Sequence, residues 1–213
     1  MTPADWAAVG LSLRVALAAT VLAAGPSLAL GWALAHRRGA VASAVEFAVL
    51  LPLVLPPVVT GYALLLVLPR TVLFTWVAAV LASAVVGLPL FVQLARAGFE
   101  AVDPALVDAA RVDGAGRRAV ARHVVAPLAS AAVGAGAALH FARALGEFGA
   151  TLVVAGNLPG RTQTLPLALY SRLQQVGGEP ASVRLAVAAV VLAALSLGVS
   201  RVLLRRWGRP SAP

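Results

Sequence analysis

Residues 103–127 read DPALVDAARVDGAGRRAVARHVVAP, the one long polar stretch in a chain that is otherwise almost continuously apolar. The stretch carries three acids (Asp103, Asp108, Asp113) and four arginines (Arg111, Arg117, Arg118, Arg122). Its alanine-rich spacing predicts two short helices broken at Gly114-Ala115-Gly116. Leu106, Ala109, Ala110 and Asp113 fall at i, i+3, i+4 and i+7, so the first helix is expected to be amphipathic and to lie outside the lipid core.

Outward from this stretch the composition is that of a membrane protein. Hydrophobic residues make up 61% of the 213 positions and the mean hydropathy is +0.92, values expected of a polytopic helical membrane protein rather than a soluble domain. All 17 basic residues are arginine, so the formal charge of +9 reports topology before it suggests a nucleic-acid partner. With no cysteine, disulfides, thiolate metal sites and cysteine nucleophiles are excluded. His36, His123 and His140 are too scattered to suggest a metal cluster, so neither a metal site nor a catalytic set is expected.

The whole chain is expected to form one transmembrane domain. Residues 9–34 form the first candidate span; at ~1.5 Å per residue it exceeds the roughly 30 Å hydrocarbon core, so it should tilt. A cleaved signal peptide competes with this reading, but Arg37 and Arg38 follow the apolar run instead of preceding it. Arg14, one turn inside, is expected to snorkel to the nearer interface. The second span, 45–68, contains Pro52, Pro56 and Pro57 and should be kinked or broken. Such a helix faces protein or a pathway, or is simply a kinked packing helix. The third span covers 72–94.

Residues 127–156 are too interrupted for one plain helix, holding Gly134, Gly136, His140, Arg143, Glu147 and Gly149. The small residues of its first half predict a close-packing surface. Residues 157–178 have turn signals at both ends, including Gly177-Gly178, around a segment too short to span, and read as re-entrant or interfacial. Residues 183–204 form the last span, followed by Arg205, Arg206 and Arg209. Five spans with residues 103–126 in the cytoplasm put the N-terminus outside and the C-terminus inside. Eleven arginines then lie inside (Arg37, Arg38, Arg96, Arg111, Arg117, Arg118, Arg122, Arg201, Arg205, Arg206, Arg209) against four outside (Arg70, Arg161, Arg172, Arg184). The positive-inside rule selects this orientation.

The polar stretch resembles the coupling loop of ABC importer permeases. Asp108-Ala109-Ala110, three residues, Gly114, nine residues and Val124-Val125-Ala126-Pro127 match the family's Glu-Ala-Ala, x3, Gly, x9, Ile-x-Leu-Pro. The match departs conservatively at Asp108 and Val124, less so at Ala126, and the spacing is intact. Independently of the family, an amphipathic helix pair held to membrane helices could insert into a groove on a cytosolic domain and transmit its motion. Ala109 and Ala110 permit close approach, Gly114 permits the turn, and Arg117 and Arg118 could pair with acids on a partner or with lipid phosphates. A loop lying on the lipid surface is the alternative.

A second resemblance rests on Ala142–Thr151 (ARALGEFGAT) and Gly156–Tyr170 (GNLPGRTQTLPLALY), which look like molybdate/sulfate-type permeases; the GRTQTLPLALY run points to the molybdate branch. The family implies a type I importer permease fold in a bacterial cytoplasmic membrane. It also implies two copies of this chain, two ATP-hydrolysing subunits under the coupling loops and a binding protein that delivers the oxyanion. Sulfate and tungstate are alternative cargoes. The chain itself lacks lysine and any Gly-x4-Gly-Lys-Ser/Thr loop, so ATP and Mg are expected on the partner.

Arg143 and Glu147, at i and i+4, form an intramembrane charge pair. With Phe148 and Thr151 they are candidates for the translocation pathway or gate. Arg143 could transiently compensate a passing dianion; alternatively the pair neutralises itself and fixes a helix break flanked by Gly146 and Gly149. An ion-coupled secondary transporter is a less suitable reading, because Glu147 is the sole acid well inside and no inverted repeat is visible.

Overall fold

The computed structural model describes residues 1–175 and 179–207, and every described element is helical. In order they are α1 (Pro3–His36), α2 (Ala40–Val54), α3 (Pro57–Val67), α4 (Trp76–Glu100), α5 (Pro104–Val112), α6 (Arg117–Val120), a π turn (Ala121–Val125), α7 (Ala126–Leu145), α8 (Gly149–Ala155), α9 (Leu165–Leu173) and α10 (Glu179–Trp207). Residues 177–178 and Arg209 lie outside the described residues, and the side chains of Arg205 and Arg206 are not described. Four helical stretches are long and apolar enough to cross a membrane: α1, α4, the run Arg117–Leu145, and Ala181–Val202 within α10.

The expected second span, 45–68, is two helices, α2 and α3, bent by 115°. The residue before a proline is pushed out of the helical region. Leu55 and Pro56 both precede prolines, and both are extended, with ψ of 142° and 133°. Two consecutive extended residues turn the chain. Pro52 alone is accommodated inside α2.

α1 and α4 run parallel. Trp32 meets Phe99 edge-on at 5.2 Å, a Cβ on Gly31 would sit 2.9 Å from that of Ala95, and Thr20 and Ala84 share contact with His140. Two parallel helices of one chain require the intervening segment to travel back. The bent α2–α3 pair therefore crosses the layer in the opposite sense, making the fifth crossing. α7 is antiparallel to α4: a Cβ on Gly98 would lie 2.7 Å from that of Ala132, while Gly136 faces Phe91 and Gly87 faces His140. The N-terminus, the 68–75 loop and residues 156–175 thus share one side, and residues 37–39 and 101–116 share the other.

The core is built of small side chains. Ala16, Ala19 and Ala23 of α1 and Ala78, Ala79 and Ala82 of α4 are buried, the pattern that lets helix backbones approach where lipid supplies no hydrophobic drive between helices. Ala129 of α7 is buried likewise, as the small-residue half of 127–156 predicts.

Two boundaries differ notably from the sequence expectation. The third span is Trp76–Glu100 rather than 72–94, because the Thr75 hydroxyl accepts from Ala78 N–H and starts the helix there. The 103–126 loop does not end in a fresh helix at Pro127; helix runs from Arg117 to Leu145 through the π turn. Ala126 N–H bonds to Ala121 O, five residues back, so the wide turn accommodates the donor that Pro127 lacks. Residues 157–178 hold a hydrogen-bonded turn and α9, whose Leu165, Leu167 and Ala168 are buried. Leu165 N–H donates to Ser12 Oγ of α1 at 2.7 Å.

Candidate functional site

The polar loop is shaped by its own caps. Asp103 Oδ1 accepts from Ala105 N–H at 2.8 Å, and Pro104 opens α5. At the far end Gly114 has φ +86°. Its N–H bonds to Arg111 O, and Ala115 N–H bonds to Ala110 O, both at 3.0 Å, which together form a Schellman cap. A Cβ on Gly114 would meet nothing within 4 Å, so glycine is demanded here by backbone conformation and not by crowding.

No residue of α5 is buried. Leu106, Ala109, Asp113 and Val112 face outward, Val112 being 86% exposed. Ala110 is half-buried, turned with Val107 toward the protein, so it does not share the open face of Ala109. Asp108 Oδ1 and Arg111 Nη1 pair at 3.4 Å on the surface, a contact of small energetic weight. Behind α5 a cavity of about 550 Å³ is lined by Trp32, His36, Phe99, Val107 and Arg117 among others. Arg118 and Pro127 are exposed. Apart from Ala110, the motif residues are thus presented on a capped arm joined by short connections to α4 and, through α6 and the π turn, to α7.

A second cluster forms where α7 stops. Leu145 ends the helix, Gly146 to Phe148 break it, and α8 resumes at Gly149. Glu147, with 2% of its surface exposed, bridges the break. Its Oε1 accepts from Ala150 N–H at 2.8 Å, and its Oε2 lies 2.7 Å from Arg143 Nη1 as an ion pair outside hydrogen-bond geometry. Arg143 keeps 28% of its side chain exposed. Phe148 is half-buried, its ring tilted against Tyr170 at 5.2 Å. Thr151 is buried with its hydroxyl unpartnered in the structure. Of the four pathway candidates, Arg143 and Phe148 reach open space, whereas Glu147 and Thr151 line none. α8 seats against α3, where a Cβ on Gly61 would lie 2.7 Å from Ala150 Cα.

Several polar contacts have no local sequence signature. Buried His140 of α7 contacts Thr20 Oγ1 of α1 through Nδ1 at 3.0 Å and Ala84 O of α4 through Nε2 at 3.3 Å. Arg96 ties α2 to α4 through Glu46 at 2.6 Å and Glu100 at 2.7 Å. Buried Asp5 closes a capping box with Thr2 and meets Arg172 of α9 at 3.4 Å. These partners are far apart in sequence, apart from the Thr2–Asp5 box and the Arg96–Glu100 pair at i, i+4. The Thr-x-x-Asp pattern at 2–5 is the signal that could have located the helix start.

An exposed motif arm, a bundle of small-residue helices and a broken helix beside a buried ion pair agree with what sequence comparison finds. Residues 27–211 match the model of the family described as "Binding-protein-dependent transport system inner membrane component". The chain belongs to this family. It is an inner-membrane permease component, and its similarity to individual members extends over nearly its whole length. It is 39% identical to the molybdenum transport system permease protein ModB of Escherichia coli (strain K12) over 96% of both chains. It is 48% identical to the putative molybdenum transport system permease protein YvgM of Bacillus subtilis (strain 168) over 62% of this chain and 64% of that one. It is 33% identical to the sulfate transport system permease protein CysT of Salmonella typhimurium over 95% of this chain and 78% of that one. Among solved structures, the MetNI methionine ABC transporter shares the fold with a TM-score of 0.71 at 17% identity, covering 98% of this permease and all of that chain.

Proposed function

We propose that this permease forms, as two copies, the translocation pathway of an ATP-driven molybdate importer. In this reading a separate ATP-binding subunit grips α5 from the cytoplasm and a binding protein delivers the anion on the opposite side. The observation that carries the reading is the α5 arm: it has no buried residue, is capped at both ends, and is joined by short connections to α4 and, through α6 and the π turn, to α7. A pull or push on Ala109 and Leu106 is then transmitted to two membrane helices. The excess of arginines on the α5 side supports a cytoplasmic placement.

Molybdate as cargo is supported by the molybdenum permeases that match over nearly the whole chain and by the GRTQTLPLALY run. Arg143, half-paired with Glu147 and partly exposed, supplies positive charge that a passing dianion can share without being held. Sulfate is the second reading, favoured by the match to a sulfate permease. The complex reconstituted with its ATPase decides between them. Molybdate-loaded binding protein is expected to stimulate ATP hydrolysis, and stimulation by sulfate-loaded protein alone would reassign the cargo.

A further inference from the structure

Arg14 is the unexplained charge of α1. It lies eight residues beyond Trp6, about 12 Å deeper along the helix, and it is exposed. Among the described residues it makes no hydrogen bond or ion pair. It shares the exposed stripe of Leu17 and Val21, 60% and 68% exposed, at i+3 and i+7. An arginine on such a stripe requires a compensating anion or a route to the interface.

The structure provides a route. Helical side chains lean toward the N-terminus, over the preceding turn, which for Arg14 is the turn of Gly10. A Cβ on Gly10 would meet nothing within 4 Å. The space so left belongs to a cavity of about 290 Å³ lined by Trp6, Ala7, Gly10, Arg14, Gly160 and Gln163. Gln163 is held in place by Nε2–H donation to Asn157 Oδ1 at 2.9 Å and Ser171 Oγ at 3.3 Å. Trp6, 62% exposed, marks the water interface as aromatic side chains do. The same Trp6 borders a neighbouring groove of about 450 Å³ between α1 and α10, lined by Val183, Val187 and Val191, with Arg184 also on its wall.

We propose that this cavity is a binding site for the phosphate of an anionic phospholipid in the leaflet that holds the N-terminus. Arg14 supplies the charge, the clearance at Gly10 lets the guanidinium rise to headgroup level, and the apolar groove beyond Trp6 takes an acyl chain. Charge complementarity and continuity with the exposed apolar stripe of Leu17 and Val21 favour a lipid over a soluble anion.

Native mass spectrometry of the full chain, purified in detergent and loaded with phosphatidylglycerol, tests the site. Wild type is expected to retain one tightly held lipid. Arg14→Gln should lower retention about fivefold, the weight of one juxtamembrane arginine, and Arg14→Lys should keep it. Gly10→Leu, which leaves the charge but fills the cavity, should lower it as well. Unchanged retention in both Arg14→Gln and Gly10→Leu overturns the proposal. Displacement of the lipid by millimolar inorganic phosphate or molybdate would assign the cavity to a free anion. A change in the number of chain copies in those variants would assign it to a second copy.

Discussion

At Arg143 and Glu147 one carboxylate serves two purposes: it starts α8 by accepting from Ala150 N–H, and it offsets an arginine within the membrane layer. Removing the arginine leaves a buried carboxylate uncompensated, whereas amidating the acid preserves an acceptor for Ala150. Arg143→Ala is therefore expected to cost roughly 3 kcal/mol, the low end for breaking a buried pair because Arg143 is partly exposed. Glu147→Gln should cost less. Thermal melting of the two variants in detergent checks the order. The pair was legible as i, i+4 spacing; that Glu147 is buried and Arg143 opens to space was not, because exposure is set by α3 packing on α8. His140 was legible only as a residue, since its partners at 20 and 84 lie on other helices.

At the level of single elements, α5 depends on one backbone conformation. Gly114→Val would force a β-branched residue to φ +86°, costing roughly 1–2 kcal/mol locally, with no clash to add to it. The expected result is a permease that still inserts but loses ATPase co-purification and substrate-stimulated hydrolysis. Gly114→Asn should retain most of both, because asparagine tolerates the left-handed cap. Normal coupling in the valine variant would remove α5 from the drive. The loop's helix, turn and motif spacing were readable because caps are local chemistry. The continuation of α6 into α7 was not readable, since Pro127 signals a helix start unless a π turn precedes it.

Across the whole molecule the decisive relation is that α1 and α4 are parallel. It makes the bent α2–α3 pair a crossing, and the antiparallel run of α7 along α4 puts residues 101–116 and 156–175 on opposite sides of the layer. Because the chain has no cysteine, Arg118→Cys and Arg161→Cys are clean single reporters. Membrane-impermeant maleimide is expected to label the first only from the cytoplasm and the second only from outside; labelling of both from one side would overturn the topology. The helical membrane class, the positions of most spans, the polar arm and its motif are all legible in the amino-acid order, because hydropathy, arginine distribution and caps are properties of short segments. Only the packing of the helices shows that α2 and α3 meet at 115°, that α9 is clamped to α1 through Ser12 and Asp5, and that Glu147 and Thr151 are buried while Arg14 has no partner among the described residues. Each of these depends on which helices meet, and contacts between residues far apart in the sequence leave no periodic trace in the chain.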